Sequence, residues 1–404
     1  MNGRAPVPAA AGRIASALRR WYRAKGRDLP WRRTREAYPI LVSEVMLQQT
    51  TVRAVIPYYE AFLSRFPDWQ SLAGADERDL LAAWAGLGYY SRARNLQSAA
   101  RRILTEEGGR FPADPRRARL LPGVGDYTAG AVASICFGLP EPALDGNACR
   151  VLARLAGVRG DPRRAAVRRR LHDFARSLLD PARSEEARRR TKRADPGEMN
   201  QAIMELGATI CTPASPRCTA CPVERHCQAA TCGTTDLIPP PANRPAAVTV
   251  HSAAAFAVRG GRVLLARREG REFMGGFWEL PGTMAGDMEA GRGKQGASAG
   301  APRELARRLR RVLAARHGLK VAIGPVQAHI AHAVTFRRIR LTVFEAKILA
   351  PSPPRSPGLC WLAPLRLRDR PVGALTRKAI GAILPAAAGR GSGRSAEPEA
   401  RRDR

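Results

Sequence analysis

The chain has 404 residues, more than one ordinary core accommodates, so two domains are expected. Apolar residues make up 45% and charged residues 25%; the longest apolar stretch, 129–139, is too short to span a bilayer and is broken by Gly130 and Gly138. The N-terminus, MNGRAPVPAAAGRI, lacks the apolar core of a signal peptide, so secretion and membrane insertion are not expected. A formal charge of +33, from 68 basic against 35 acidic residues, points to a polyanionic partner, with nucleic acid favoured. Only six of the basic residues are lysines; a bias toward arginine explains that choice but not the excess of basic over acidic groups.

Residues 1 to about 235 read as helical. Apolar side chains recur at three and four spacing through 14–21, 38–47, 55–66, 80–87 and 151–155, with turn signals at Pro67-Asp68, Gly108-Gly109 and Leu121-Pro122-Gly123 between them. A stiff, proline-rich linker spans 236–247. Beyond it the pattern changes: 248–258, Gly260-Gly261 and 263–267 read as a β-hairpin, 304–317 as an amphipathic helix and 339–348 as a further strand. The Gly-rich stretch 282–300 reads as a loop, and the residues from about 386 as a disordered tail. The expected domains are therefore 1–235 and 248–385.

Cys211, Cys218, Cys221 and Cys227 are spaced C-x6-C-x2-C-x5-C, while Cys232 falls just outside that pattern. Four clustered thiols in a chain without a signal peptide suit zinc or an iron–sulfur cluster. Zinc usually takes two tight C-x2-C pairs, and only one is present, which favours a cubane 4Fe-4S cluster. Arg217 and Arg225, between the ligands, are placed to reach phosphates.

Leu121-Pro-Gly-Val-Gly-Asp-Tyr-Thr-Ala-Gly130 lies between helical runs. Gly123 and Gly125, flanking Val124, permit a tight turn with positive φ, leaving backbone N–H groups free at the start of a helix near Asp126. Such groups bind a phosphate without reading sequence. The alternative is a plain helix–helix turn. Glu44 sits in an apolar helical run, where burial raises a carboxyl pKa and makes it a candidate general acid. Asp145, twenty residues after Gly125, is placed near a gripped sugar, where a carboxylate stabilises an oxocarbenium ion. Each carboxylate has a structural alternative: Glu44 as a helix-face residue, and Asp145 as N-cap of a helix over 147–155.

The hairpin, the aspartate and the cysteine spacing together resemble the endonuclease III superfamily of DNA glycosylases. Within it, Leu29-Pro-Trp-Arg32, Ser43-Glu-Val-Met-Leu-Gln-Gln-Thr50, Gly86-Leu-Gly-Tyr-Tyr90, Leu144-Asp-Gly-Asn147 and Asn200-Gln201 resemble the MutY family of adenine DNA glycosylases. The resemblance is dense over about 12–235 and looser beyond. It implies an all-α helix-hairpin-helix domain with an iron–sulfur loop, followed by an α+β Nudix-like domain. It also implies base excision repair of adenine opposite 8-oxoguanine or guanine, on double-stranded DNA, by a monomer in the bacterial cytoplasm at the nucleoid.

Under the same resemblance Glu44 protonates adenine N7, and Asp145 stabilises or traps the sugar cation, supported by Tyr127 and Asn147. Trp31, Arg32, Leu47 and Gln201 line the pocket for a flipped adenine, and Gln49 and Tyr89 wedge into the duplex, the alternative for these two being helix-end packing. Bifunctional relatives carry a Schiff-base lysine where this chain has Tyr127, which implies a monofunctional enzyme. The Nudix-like half rests on Val263-Leu-Leu-Ala-Arg-Arg268 and Phe277-Trp-Glu-Leu-Pro-Gly282. Its helix, Arg303-Glu-Leu-Ala-Arg-Arg-Leu-Arg-Arg311, carries one carboxylate among arginines, against magnesium-dependent hydrolysis and for a recognition role. Thr335 stands where the family's Phe-Ser-His loop has its serine, and the histidine is missing. The competing readings are an endonuclease III-like lyase for oxidised pyrimidines, a noncatalytic iron–sulfur DNA-binding protein and a nucleotide pyrophosphohydrolase.

Overall fold

The computed structural model describes residues 8–180, 195–241, 247–268, 275–283, 301–334, 336–349 and 358–384. Most of the glycine-rich stretch, the expected C-terminal tail and Thr335 lie outside them. The chain divides into two compact units, Met1–Arg244 and Pro245–Arg404. No described helix is long and apolar enough to cross a membrane.

The first unit is helical: α1 (Pro8–Lys25), α2 (Ala37–Leu47), α3 (Val52–Arg65), α4 (Trp69–Gly74), α5 (Glu77–Ala83), α6 (Ser91–Glu106), α7 (Pro115–Ala118), α8 (Asp126–Phe137), α9 (Gly146–Ala156), α10 (Ala165–Leu179), α11 (Pro196–Thr209) and α12 (Gln228–Thr231). Two of these are apolar nearly all round and are sunk into the core: α2 buries Ile40 to Met46 without a break, and α8 buries Thr128 to Ile135. Helices α3, α6 and α8 pack on α2. The amphipathic helices α1, α9, α10 and α11 close a second cluster around Leu18, Leu152, Leu171 and Leu206, which continues into the cysteine loop through Val223 and Cys227. Short polar residues start several helices: Asp68, Asp114, Asp145 and Asp195 each accept a first-turn amide.

The second unit is α+β. Strands β1 (Val248–Phe256), β5 (Val321–Val334) and β6 (Arg337–Ile348) form a sheet in the order β1-β6-β5, while β2 (Val258–Arg259), β3 (Arg262–Arg267), β4 (Trp278–Glu279) and β7 (Leu359–Leu362) form another around β3. Helix α13 (Pro302–His317) sets Leu305, Leu309 and Leu313 against Ala253, Ala255 and Phe344; α14 (Ala374–Ile383) sets Leu375, Ala379 and Ile380 into the opposite cluster with Ala254, Ile330 and Leu341.

The expected hairpin of 248–258 with 263–267 needs correction. Only β2 and β3 pair as its arms, Val258 with Val263 and Arg259 with Arg262. β1 instead runs parallel to β6, from Val248 opposite Arg337 to Phe256 opposite Glu345. The cause is burial on both faces. Ala253 to Phe256 supply both hydrophobic clusters, so β1 has a neighbour layer on each side rather than a solvated face.

Candidate active site

A cavity of about 900 Å³ opens where α2, the hairpin turn, the α9 N-terminus and α11 meet. Glu44 enters it from α2, Tyr127 from the first turn of α8, Asp145 and Asn147 from the start of α9, and Gln201 from α11. Trp31 and Arg32, from the short turn of helix Pro30–Arg32, complete one wall with Leu47 and Gln49 from the end of α2.

Glu44 is 5% exposed. Burial pushes its carboxyl up to about 7; the Tyr127 hydrogen bond opposes the rise, Asp145 adds to it and Arg32 opposes it. The Tyr127 hydroxyl donates to Glu44 Oε2 at 2.5 Å and also lies 3.3 Å from Met204 Sδ. Tyr127 itself is pushed well above the ordinary tyrosine value, chiefly by burial, so it stays a donor.

Asp145 does two things at once. As N-cap of α9, its Oδ1 accepts the Ala148 amide at 2.6 Å, while Oδ2 accepts from Asn147 Nδ2 at 3.1 Å. Burial raises its pKa, against the pull of those hydrogen bonds and of Arg150. Arg150 reaches back from α9, with Nη2 donating to Asn147 Oδ1 at 2.9 Å and Nε to the Cys211 carbonyl at 2.8 Å. The loop before Asp145 is held by Asn200, whose Nδ2 donates to Ser134 and to the Glu141 carbonyl and whose Oδ1 accepts the Ala143 amide.

Gly123 has the expected left-handed φ of +77°, and a Cβ there would come within 2.8 Å of Asn95 Cβ. Gly125 does not share that conformation. It is the N-cap of α8 at φ −91° with open space around it, so the reading of positive φ at both glycines is corrected to Gly123 alone. No side chain caps this helix start, which leaves its first-turn amides uncapped at Asp126, Tyr127 and Thr128, residues that line the cavity. Val124 is buried beneath the turn and lines no part of the cavity.

Several cavity residues were not singled out in the sequence. Glu205 is 1% exposed and ties the wall together: Arg27 Nε donates to its Oε1 at 2.7 Å and Arg32 Nη2 to its Oε2 at 2.8 Å. Burial pushes Glu205 up, but those hydrogen bonds outweigh it and hold its carboxyl below the ordinary value. Its sequence signal is position, one turn after Gln201 on the same face of α11. Gln201 in turn accepts the Tyr22 hydroxyl at 2.6 Å. Arg168 of α10 also lines the cavity.

Residues 42–177 match the model of the HhH-GPD superfamily of base excision DNA repair proteins, and residues 253–382 match that of the NUDIX domain. A thymine-DNA glycosylase of Aeropyrum pernix is 37% identical over 223 residues, covering 54% of this chain and 95% of its own. The chain belongs to the HhH-GPD superfamily. Relatives of this superfamily chain named adenine DNA glycosylase include the human protein, 47% identical over 222 residues (53% of this chain, 38% of the relative). The Arabidopsis thaliana protein is 34% identical over 312 residues (67% and 47%). These matches bear out the resemblance to the MutY family read from the sequence, and the fold class of a helical glycosylase domain followed by a Nudix-like one. This chain spans about two-fifths of the length of the mammalian adenine glycosylases it matches. Among solved structures, a thermostable thymine-DNA glycosylase aligns at 25% identity with a TM-score of 0.48, covering 55% of this chain and 97% of that one.

Away from the cavity, Cys211, Cys218, Cys221 and Cys227 line one cleft under α9 and α11. Burial pushes the Cys221 thiol up to about 12, and the other three cysteines add to the rise, as mutual proximity requires. Buried Arg154 donates to Cys211 Sγ at 3.3 Å and to the Thr212, Pro213 and Ile238 carbonyls, and Cys227 Sγ donates to the Arg154 carbonyl at 3.4 Å. Among the described residues the thiols share this cleft without converging as a finished ligand set. The donor chemistry, four sulfurs with a guanidinium on one of them, fits a thiolate-held cluster.

Proposed function

We propose that this protein is a monofunctional adenine DNA glycosylase that acts on double-stranded DNA carrying adenine opposite 8-oxoguanine or guanine. It works as a monomer in base excision repair at the cytoplasmic nucleoid. The observation that carries the reading is the pairing of a buried carboxyl of pKa about 7 with a second carboxylate in one cavity roomy enough for a flipped nucleotide, beside an uncapped helix N-terminus. Burial raises both carboxyls; what separates their roles is hydrogen bonding, since Asp145 accepts the Ala148 amide and Asn147, which favour its ionised form, while Glu44 has only the Tyr127 hydroxyl.

The α8 amides and Gly123 turn grip a backbone phosphate, and the adenine swings out of the stack into the cavity. Trp31 and Leu47 cover its faces, while Arg32, Gln201 and Glu205 present donors and acceptors to its edge. Glu44, about half protonated at neutral pH, delivers its proton to N7. The C1′–N9 bond then breaks with its electron pair going to the base. Asp145, oriented by Ala148 and Asn147, faces the cation left on the sugar. Water adds at C1′ and gives up a proton to a carboxylate, so the pair is restored and an abasic site remains. Tyr127 occupies the place of the lyase lysine, and among the described residues no lysine lines the cavity, which supports hydrolysis without strand cleavage. Retention of both carboxylates argues against a noncatalytic binder.

Cys211, Cys218, Cys221 and Cys227 would hold a 4Fe-4S cluster, which would cross-link the loop that follows α11, while Arg154 of α9 ties that loop to the helices. In the second unit, the loop around Thr335 reads the opposite base. The test is incubation with duplexes pairing 8-oxoguanine with A or with C, and with a thymine-glycol duplex, followed by alkali. Abasic sites in the first alone are expected; thymine-glycol release with spontaneous strand cleavage overturns the reading. Iron analysis at about four per chain tests the cluster, and stoichiometric zinc refutes it.

A further inference from the structure

Two loops of the first unit end in strained tips. Gln49, just beyond α2, has φ +58°, and Tyr89, just before α6, has φ +46°. Neither is glycine, and both side chains are exposed. A left-handed backbone at such residues persists only where surrounding contacts over-determine it, and it clusters at functional positions. Here the contacts converge on one side chain. Arg92 is 8% exposed, and its Nη1 donates to the carbonyls of Val45 (2.8 Å), Met46 (2.9 Å) and Gln48 (2.5 Å). Its Nη2 donates to Thr50 Oγ1 (3.3 Å) and to the carbonyls of Leu87 (3.0 Å) and Gly88 (3.1 Å). The guanidinium also lies 5.6 Å from the Trp84 ring and 5.7 Å from the Tyr89 ring.

This one cation caps the negative end of α2, where Val45 and Met46 carry carbonyls left over by the helix, and bolts the second loop to it. From Gln48 and Thr50 it brackets Gln49; from Gly88 and its own ring contact it fixes Tyr89. We propose that Arg92 is a positioning residue that joins the Gln49 and Tyr89 tips into a single rigid prong, which fills the gap in the duplex when a base leaves the stack. Gln49 lines the cavity that receives the base, so the prong and the receptacle share a wall. A lysine at 92 keeps the charge but has one nitrogen, which cannot span six acceptors on two loops.

The inference rests on the proposed base release, and the test separates the two. Arg92→Lys is compared with wild type on an 8-oxoguanine:A duplex and on one in which the adenine faces an abasic spacer and is already loosened. The expected result is a loss of single-turnover rate on the order of 10- to 100-fold on the paired duplex, where unstacking must be driven, and less than about threefold on the loosened one. With 2-aminopurine at the target position, the fluorescence rise on binding should shrink in the variant. Equal losses on both duplexes, or an undiminished fluorescence rise, overturn the role given to Arg92. Wild type that releases no adenine from either duplex sinks the proposed activity instead, while the 2-aminopurine signal still reads the prong. Should Arg92→Lys fail to fold, Thr50→Ala removes the one side-chain acceptor of the same clasp and is held to the same ratio.

Discussion

Removing the Glu44 carboxyl should leave a protein that is catalytically dead and more stable, with a gain that depends on pH. In Glu44→Gln the amide keeps an oxygen for the Tyr127 hydroxyl but has no proton to deliver and no charge to bury. The carboxyl moves from 4.5 in an unfolded chain to about 7 in the fold. Below the lower value it is neutral in both states and costs nothing. Between the two, the unfolded chain ionises while the folded one stays protonated, so stability falls as pH rises; above about 7 the loss is complete. One pKa unit corresponds to about 1.4 kcal/mol, so the wild type gives up about 3 kcal/mol across this window. The glutamine variant gives up none of it. Hydrogen exchange of peptides covering α2 and α8, compared between the two proteins at each pH, reads the difference because intrinsic exchange rates cancel. The gap should be small near pH 5 and reach about 3 kcal/mol near pH 8. A gap that does not change with pH, or a variant less stable at pH 8, would refute the buried, protonated state assigned to Glu44.

The alkaline limb of the kcat/KM profile should fall near pH 7, where Glu44 loses its proton. Because the Tyr127 hydrogen bond holds that pKa down, Tyr127→Phe should move the limb to higher pH; an unmoved limb separates the two residues. In Gly207→Ala the new Cβ would lie 2.8 Å from Asn147 Cβ and 3.1 Å from its carbonyl. Displacing Asn147 should cost about 1–3 kcal/mol of stability and slow single-turnover base release, and a wild-type rate in that variant would show that Asn147 does not orient Asp145. Cys221→Ser should lower iron content and thermal stability together, which metal analysis and melting curves check. A chain ending near residue 244 should still release adenine but lose its preference for 8-oxoguanine over guanine opposite it, and undiminished discrimination would place that reading in the first unit.

What was legible in the sequence follows the range of the forces involved. A carboxylate inside the apolar run Ile40 to Met46 announces its own burial, so Glu44 stood out. Its partner Tyr127 was found through the hairpin, but the bond between them, 83 residues apart in sequence, was not visible. Glu205 shows the same limit. A glutamate on a helix reads as a solvated charge until Arg27 and Arg32, more than 170 residues earlier, fold over it. Strand β1 reads as a hairpin arm because a strand buried on both faces has no alternation, and its neighbour in sequence then looks like its neighbour in space. Asp145 was open between cap and catalyst on the sequence alone; in the structure the capping bond is made, and that same bond holds the carboxylate where it faces the cavity. The two readings were never exclusive. Arg92 and Arg150 complete the argument: each is a single charge in an arginine-rich chain, indistinguishable by composition from 60 others, and each becomes informative only through the carbonyls it gathers. The costly features of the site, a buried acid and two left-handed residues, are sustained by such polar clasps between distant segments, so they belong to the fold rather than to any motif.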